Sequence, residues 1–180
     1  MNSINRSLSL RAAFFVLTLT AGASALASAG RTPIYQPIVI TQPGAYYVSR
    51  DFTASSGPAI DVQSDNVEIA LEGHIITQSN PSIAVIAAAG RKGLSVTGPG
   101  RLKGGGYGIH VDSPSGGGTV RIKGVTIESA RIGIRLDGEC SCCYITSAEI
   151  QDNTIYNAGP YGMLVDSVDA LSIERNVVTG

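Results

Sequence analysis

The sequence predicts an all-β chain that winds as a β-solenoid of about five coils. Three observations carry that reading. The phrase "YGIHVDSP" at Tyr107 returns as "IGIRLDGE" at Ile132 and again as "YGMLVDSV" at Tyr161. Around these phrases, short stretches alternate apolar and polar residues with the two-residue period of a half-buried strand. Gly, Asn, Asp, Ser and Pro punctuate the stretches as tight turns require, and no helical period lies between them.

The chain has 180 residues, enough for one domain, with 22 glycines, 8 prolines and no tryptophan, a mixture that fits many short strands and argues against a helical bundle. Its 13 basic and 14 acidic residues give a net charge of −1, so no basic field points to nucleic acid or to an anionic membrane surface. Residues 1–29 form a separate segment. Arg6 and Arg11 supply a positive start, "AAFFVLTLTAGASALA" a short apolar stretch, and Ala27 to Ala29 a small-residue cleavage site. The pattern is that of a signal peptide; a membrane anchor would need a longer apolar core. No cysteine follows the cleavage site, which argues against a lipoprotein. The mature chain is expected to begin near Gly30 and to work in the periplasm or outside the cell, with no membrane contact once the signal is removed.

Residues 30–57 are expected to form an N-terminal strand cap, and residues 58–180 the coils. The opening phrase has five copies: "PAIDVQ" at Pro58, "SIAVIA" at Ser82, and the three already quoted. A second phrase follows each: "VEIALEGHII", "LSVTGPGRL", "VRIKGVTI", "AEIQDNTI" and "LSIERNVV". Their central residues Ile69, Val96, Ile122, Ile150 and Ile173 are spaced by 27, 26, 28 and 23. A repeat unit of this length cannot bury its apolar face alone, but it can stack on the next at the strand spacing of about 4.8 Å. A leucine-rich repeat would need denser leucines, and a sandwich would not repeat one phrase in register. The last phrase, "LSIERNVV", meets no amphipathic cap, charged run or proline before Gly180, so the coils are expected to continue in a longer protein.

The phrases G-I-x-V, I-x-x-N-x-I and "LEGHIIT" are similar to those of secreted right-handed parallel β-helix proteins of the pectin-lyase-like superfamily. The resemblance covers roughly Ile38 to Gly180 and includes the lead-in "ITQPGAYYVSRDF". It implies a single-stranded, right-handed helix. It says little about function, because that superfamily holds lyases, hydrolases, epimerases, adhesins and non-catalytic proteins.

Candidate chemistry lies on the outward positions of the opening phrases. Alternation turns Ile109 and Val111 inward, and so turns His110 and Asp112 outward; the same logic exposes Arg135 with Asp137, and Leu164 with Asp166. Stacking is expected to align Gln63, Ile86, Asp112, Asp137 and Asp166 in one column. Three neighbouring carboxylates repel one another, which raises some of their pKa values or recruits a cation, and calcium is the candidate ion. No other cofactor is implied. His110 and Arg135, one column over, could meet an acidic sugar, and the β-helix enzymes the chain resembles also work on an outer sheet face. The competing reading is that each Asp caps the turn after its strand.

Other motifs point to structure. "RIK" at Arg121–Lys123 resembles a basic tripeptide of the polygalacturonases, but their Asp-Asp and Gly-His-Gly motifs are absent, as is the Arg-x-Pro-x-x-Arg of pectate lyases. His74 fits a turn or strand role. Asn153 and Asn176 hold matching places and are expected to stack as an amide ladder. Cys140, Cys142 and Cys143 in an oxidising compartment imply a local disulfide with one thiol left over; a zinc site would need a fourth ligand such as Glu139. Gly104–Gly106 and Gly116–Gly118 lack a following helix and read as turns. Tyr46 and Tyr47 either stack on sugar or pack over the first coil. The expected function is recognition or processing of an extracellular or cell-envelope polysaccharide on the outer sheet face. The alternative is a non-catalytic structural or adhesive solenoid. An enzyme of this kind would be a lyase, hydrolase or epimerase, although no complete catalytic motif is present.

Overall fold

The computed structural model describes residues 30–112, 117–128, 130–138 and 144–180. All described regular structure is β, and the strands stack in parallel into three sheets as a solenoid of about five turns. Sheet 1 contains Ile38–Ile40, Ile60–Val62, Ala84–Ala89, Tyr107–Asp112, Ile132–Asp137 and Tyr161–Val165. Sheet 2 contains Arg31–Ile34, Gly44–Val48, Val67–Ala70, Leu94–Thr97, Thr119–Lys123, Ile145–Gln151 and Val168–Glu174. Sheet 3 contains Phe52–Ala54, Ile75–Gln78, Arg101–Gly104, Thr126–Glu128, Thr154–Tyr156 and Val177–Thr179. From residue 38 onward the chain visits the sheets in rotation, and every strand pairs with its counterpart one turn away.

Alternation decides what faces inward. In sheet 2 the column Ile69, Val96, Ile122 and Ile150 runs through the core in register, beside Val67, Leu94, Val120 and Ala148; the last strand continues the two columns with Ile173 and Leu171, which are 48% and 45% exposed. Sheet 1 contributes Ile60, Ile86, Ile109 and Ile134, with Met163 partly buried against them, and sheet 3 contributes Ile76, Leu102, Ile127 and Ile155, with Val178 continuing the register at 51% exposure. Branched aliphatic side chains fill a pleated, buried face well, and each fully buried one contributes roughly 1.5–3 kcal/mol. Tyr46 joins this interior in the first turns, with its hydroxyl donating to the Gln42 carbonyl at 2.9 Å.

The repeat unit has three strands rather than two. Each second phrase of the sequence splits, because a short corner separates sheet 2 from sheet 3. In three successive turns that corner begins with a residue in the left-handed backbone region: Gly124 (φ 67°), Asp152 (φ 57°) and Arg175 (φ 53°). Behind it stands the expected amide ladder. Asn153, 1% exposed, accepts from the Val125 N–H at 2.9 Å and donates to the Ile122 carbonyl at 3.0 Å and the Asn176 side-chain oxygen at 2.9 Å. Asn176 repeats the pattern by donating to the Ile150 carbonyl at 2.6 Å.

Candidate functional site

Sheet 1 presents its outward side chains on an open face. Asp112 pairs in register with Asp137, and His110 with Arg135. Asp166 follows the last strand of the sheet and donates its N–H to the Leu136 carbonyl at 2.9 Å, so it reaches the same end of the face, exposed. Ile86 does not belong to this column. The partner of Asp112 in the preceding turn is Ala89, while Ile86 pairs with Ile109 and is fully buried. The run "AVIAAA" carries no polar residue to set its phase, so the sequence leaves its register open by three positions.

Four side chains from two adjacent turns converge here. His110 Nε2 lies 2.8 Å from Asp137 Oδ2. Asp137, as a carboxylate, only accepts, so Nε2 is the donor of this contact, and in the neutral ring the Nδ1 edge is the acceptor. Arg135 Nε closes on the same Oδ2 as an ion pair, although its N–H is not aligned with that oxygen as a hydrogen bond requires. A terminal nitrogen of the guanidinium donates to the Tyr107 hydroxyl at 3.0 Å. Contact with Asp137, and then with Tyr107, raises the Arg135 pKa above its ordinary value, against the effect of its partial burial. The Tyr107 and His110 rings are tilted against each other with centroids 4.7 Å apart, and the Arg135 guanidinium carbon lies 5.4 Å from the Tyr107 ring centre. Asp137 is only 7% exposed; Tyr107, His110, Asp112 and Arg135 are half-buried.

Tyr107 is the member that alternation misses. Two residues before the inward Ile109, it is expected to face the core with it. Gly108 makes the difference. Both Gly108 and Ile109 are buried, so the strand turns a corner there and sends Tyr107 outward. A Cβ on Gly108 would stand 2.5 Å from Ile127 Cγ2 and 2.6 Å from the Gly133 carbonyl oxygen, so only glycine fits. The signal in the sequence is the Tyr-Gly pair that opens the phrase at Tyr107 and at Tyr161.

The face continues toward the N-terminus as a low shelf. Ala87 and Ala89 stand one strand spacing before His110 and Asp112, and the buried Ala84 stands before Tyr107. On the far side of Ala87 is Asp61, whose carboxylate accepts from the Gln63 side chain at 2.8 Å. Beyond Asp61 opens a trough of about 410 Å³, lined by Val39, Thr53, Ser55, Ser56, Pro58 and Asp61. A second trough of about 400 Å³ lies on the outer face of sheet 2, with Glu68, Ser95, Arg121 and Glu149 among its walls.

The remaining candidates hold other places. Ile122 of "RIK" is fully buried, while Arg121 and Lys123 face out to Glu149 at 3.4 Å and Asp152 at 3.9 Å. His74 Nδ1 sits 3.0 Å from Asp51 Oδ1, which also accepts the Ile75 N–H at 2.9 Å. That backbone bond, and then the His74 contact, hold the Asp51 carboxyl below its ordinary pKa. His74 therefore fastens one turn to the one before it. Tyr47 lies under the Arg31 guanidinium at 5.1 Å. Among the described residues no group of three or more His, Cys, Asp or Glu side chains is placed to hold a metal ion. Residues 1–29, read in the sequence as a signal peptide, and Glu139, Cys140, Cys142 and Cys143 lie outside the described residues. No protein-family model, curated protein or solved structure matches this chain.

Proposed function

We propose that this chain is an exported β-helix of the pectin-lyase-like kind that recognises or processes a polysaccharide along the outer face of sheet 1. The observation that carries the reading is the Tyr107–His110–Arg135–Asp137 network, set on an open, elongated face beside a shelf of alanines. A parallel stack offers the same spacing turn after turn, which suits a ligand that itself repeats. The shelf accepts the apolar side of a sugar ring, and the tyrosine and histidine rings form a wall beside it. His110, oriented by Asp137, has one ring nitrogen free for a sugar hydroxyl; in a processing reaction that nitrogen is the proton-transfer group and Asp137 the positioning residue.

The second reading, a structural or adhesive solenoid, has one observation in its favour: His110 and Arg135 already engage Asp137 without a ligand. A glycan array separates the two. Binding of at least one glycan class by the intact protein, lost in His110→Ala and weakened in Tyr107→Phe, supports the first. Equal behaviour of both variants and the parent on every glycan would refute it.

A further inference from the structure

We infer that the glycan of this face carries no carboxylates. The inference rests on the polysaccharide reading above and concerns the class of sugar. Among the described residues, the outward side chains of the sheet 1 strands include three carboxylates, Asp61, Asp112 and Asp137, against one guanidinium, that of Arg135; the margins add Asp166, Arg91 and Arg131. On the strands themselves a uronate chain would need Arg135 as its anchor. That guanidinium already lies against Asp137 and donates to Tyr107. Asp137 in turn is almost fully buried and held by His110 at 2.8 Å, so it does not swing aside to make room. An incoming carboxylate would therefore meet Arg135 with Asp137 in place and Asp112 one strand away, at about 4.8 Å of spacing.

The rest of the face suits hydroxyl or amino groups. The Ala87 shelf lies between Asp61 on one side and His110 on the other, a span of two strand spacings or roughly 10 Å. Asp61 and Asp112 offer acceptor oxygens to hydroxyls or to an ammonium group, the His110 Nδ1 edge offers another, and Gln63 offers both a donor and an acceptor. The trough beyond Asp61 extends the path for further residues of the chain. The charge balance also narrows the chemistry. β-Elimination and C5 epimerisation both remove a proton made acidic by a neighbouring carboxylate, and a carboxylate-free sugar has none. Binding, or hydrolysis by addition of water across the glycosidic bond, is what this face can serve.

The test is titration calorimetry of the intact protein with three oligosaccharides of equal length: N-acetylglucosamine, glucosamine and galacturonate oligomers. The neutral and amino oligomers should bind at least tenfold more tightly than the uronate. The Asp61→Asn/Asp112→Asn variant should narrow that gap by strengthening the uronate, with circular dichroism confirming its fold. Tighter or equal binding of the uronate by the parent protein would overturn this inference while leaving the polysaccharide reading standing. Binding of none of the three, together with an array on which no glycan binds, would overturn both.

Discussion

Replacing Asn153 by alanine should be among the most damaging single changes in the chain. The side chain is 1% exposed and sits where sheet 2 turns into sheet 3. Its oxygen satisfies the Val125 N–H at 2.9 Å, and its amide nitrogen serves the Ile122 carbonyl at 3.0 Å and Asn176 at 2.9 Å. Alanine leaves the Val125 donor without its partner in the interior and removes a donor from two acceptors. A buried polar group stranded in this way costs about 1–3 kcal/mol. The Val125 N–H bears the full penalty; the Ile122 carbonyl retains capacity for other donors, so the expected total is about 3 kcal/mol. For a chain of this length that corresponds to a fall in melting temperature of roughly 6–12 °C. Urea unfolding followed by both circular dichroism and tyrosine fluorescence gives the free energy directly, and coincidence of the two probes checks that one transition is being measured. A destabilisation below about 0.5 kcal/mol would refute the reasoning, because it would mean that the ladder is replaceable by water.

The inward and outward assignments in "RIK" are tested by a pair of variants: Ile122→Ala should destabilise by about 2–5 kcal/mol, whereas Arg121→Ala should stay within about 0.5 kcal/mol. A large effect of Arg121→Ala in the same urea assay would mean that the outer face of sheet 2 does more than stay solvated. Asp152 is held below the ordinary aspartate value of 3.8, first by its hydrogen bond from Arg175 at 2.6 Å and then by the charges of Arg175 and Lys123. Its contribution to stability is thus present above pH 3.8 and lost as the pH falls through the depressed folded value. Asp152→Asn keeps a residue that tolerates the left-handed corner, so it should flatten the acid limb of the stability profile; an unchanged acid limb would contradict the assignment.

Much of this architecture is legible in the residues, and the failures have identifiable causes. The Ile69–Val96–Ile122–Ile150–Ile173 column stands out because a polar residue precedes every member, and follows every member but Ile69, and so fixes its phase. Ile86 is misplaced because "AVIAAA" has no such flank. The third strand of each turn is hidden because "VRIKGVTI" reads as one strand until Gly124, at φ 67°, bends it. At the candidate site, His110, Asp112, Arg135, Asp137 and Asp166 all face outward as alternation requires. Their pairing is another matter. Alternation and stacking set His110 beside Arg135, yet the short contact runs diagonally from His110 to Asp137, which depends on side-chain rotamers that no repeat encodes. Tyr107 escapes for a backbone reason, the corner at Gly108.

The central claim is that a glycan lies along sheet 1. Hydrogen exchange of the intact protein, with and without a saturating N-acetylglucosamine or glucosamine oligomer, addresses it most directly. Protection should rise over Ala84–Ala89, Tyr107–Asp112 and Ile132–Asp137, with no change over Leu94–Thr97 and Thr119–Lys123 of sheet 2. Protection that appears instead around Glu68, Arg121 and Glu149, or that appears nowhere, would contradict the account.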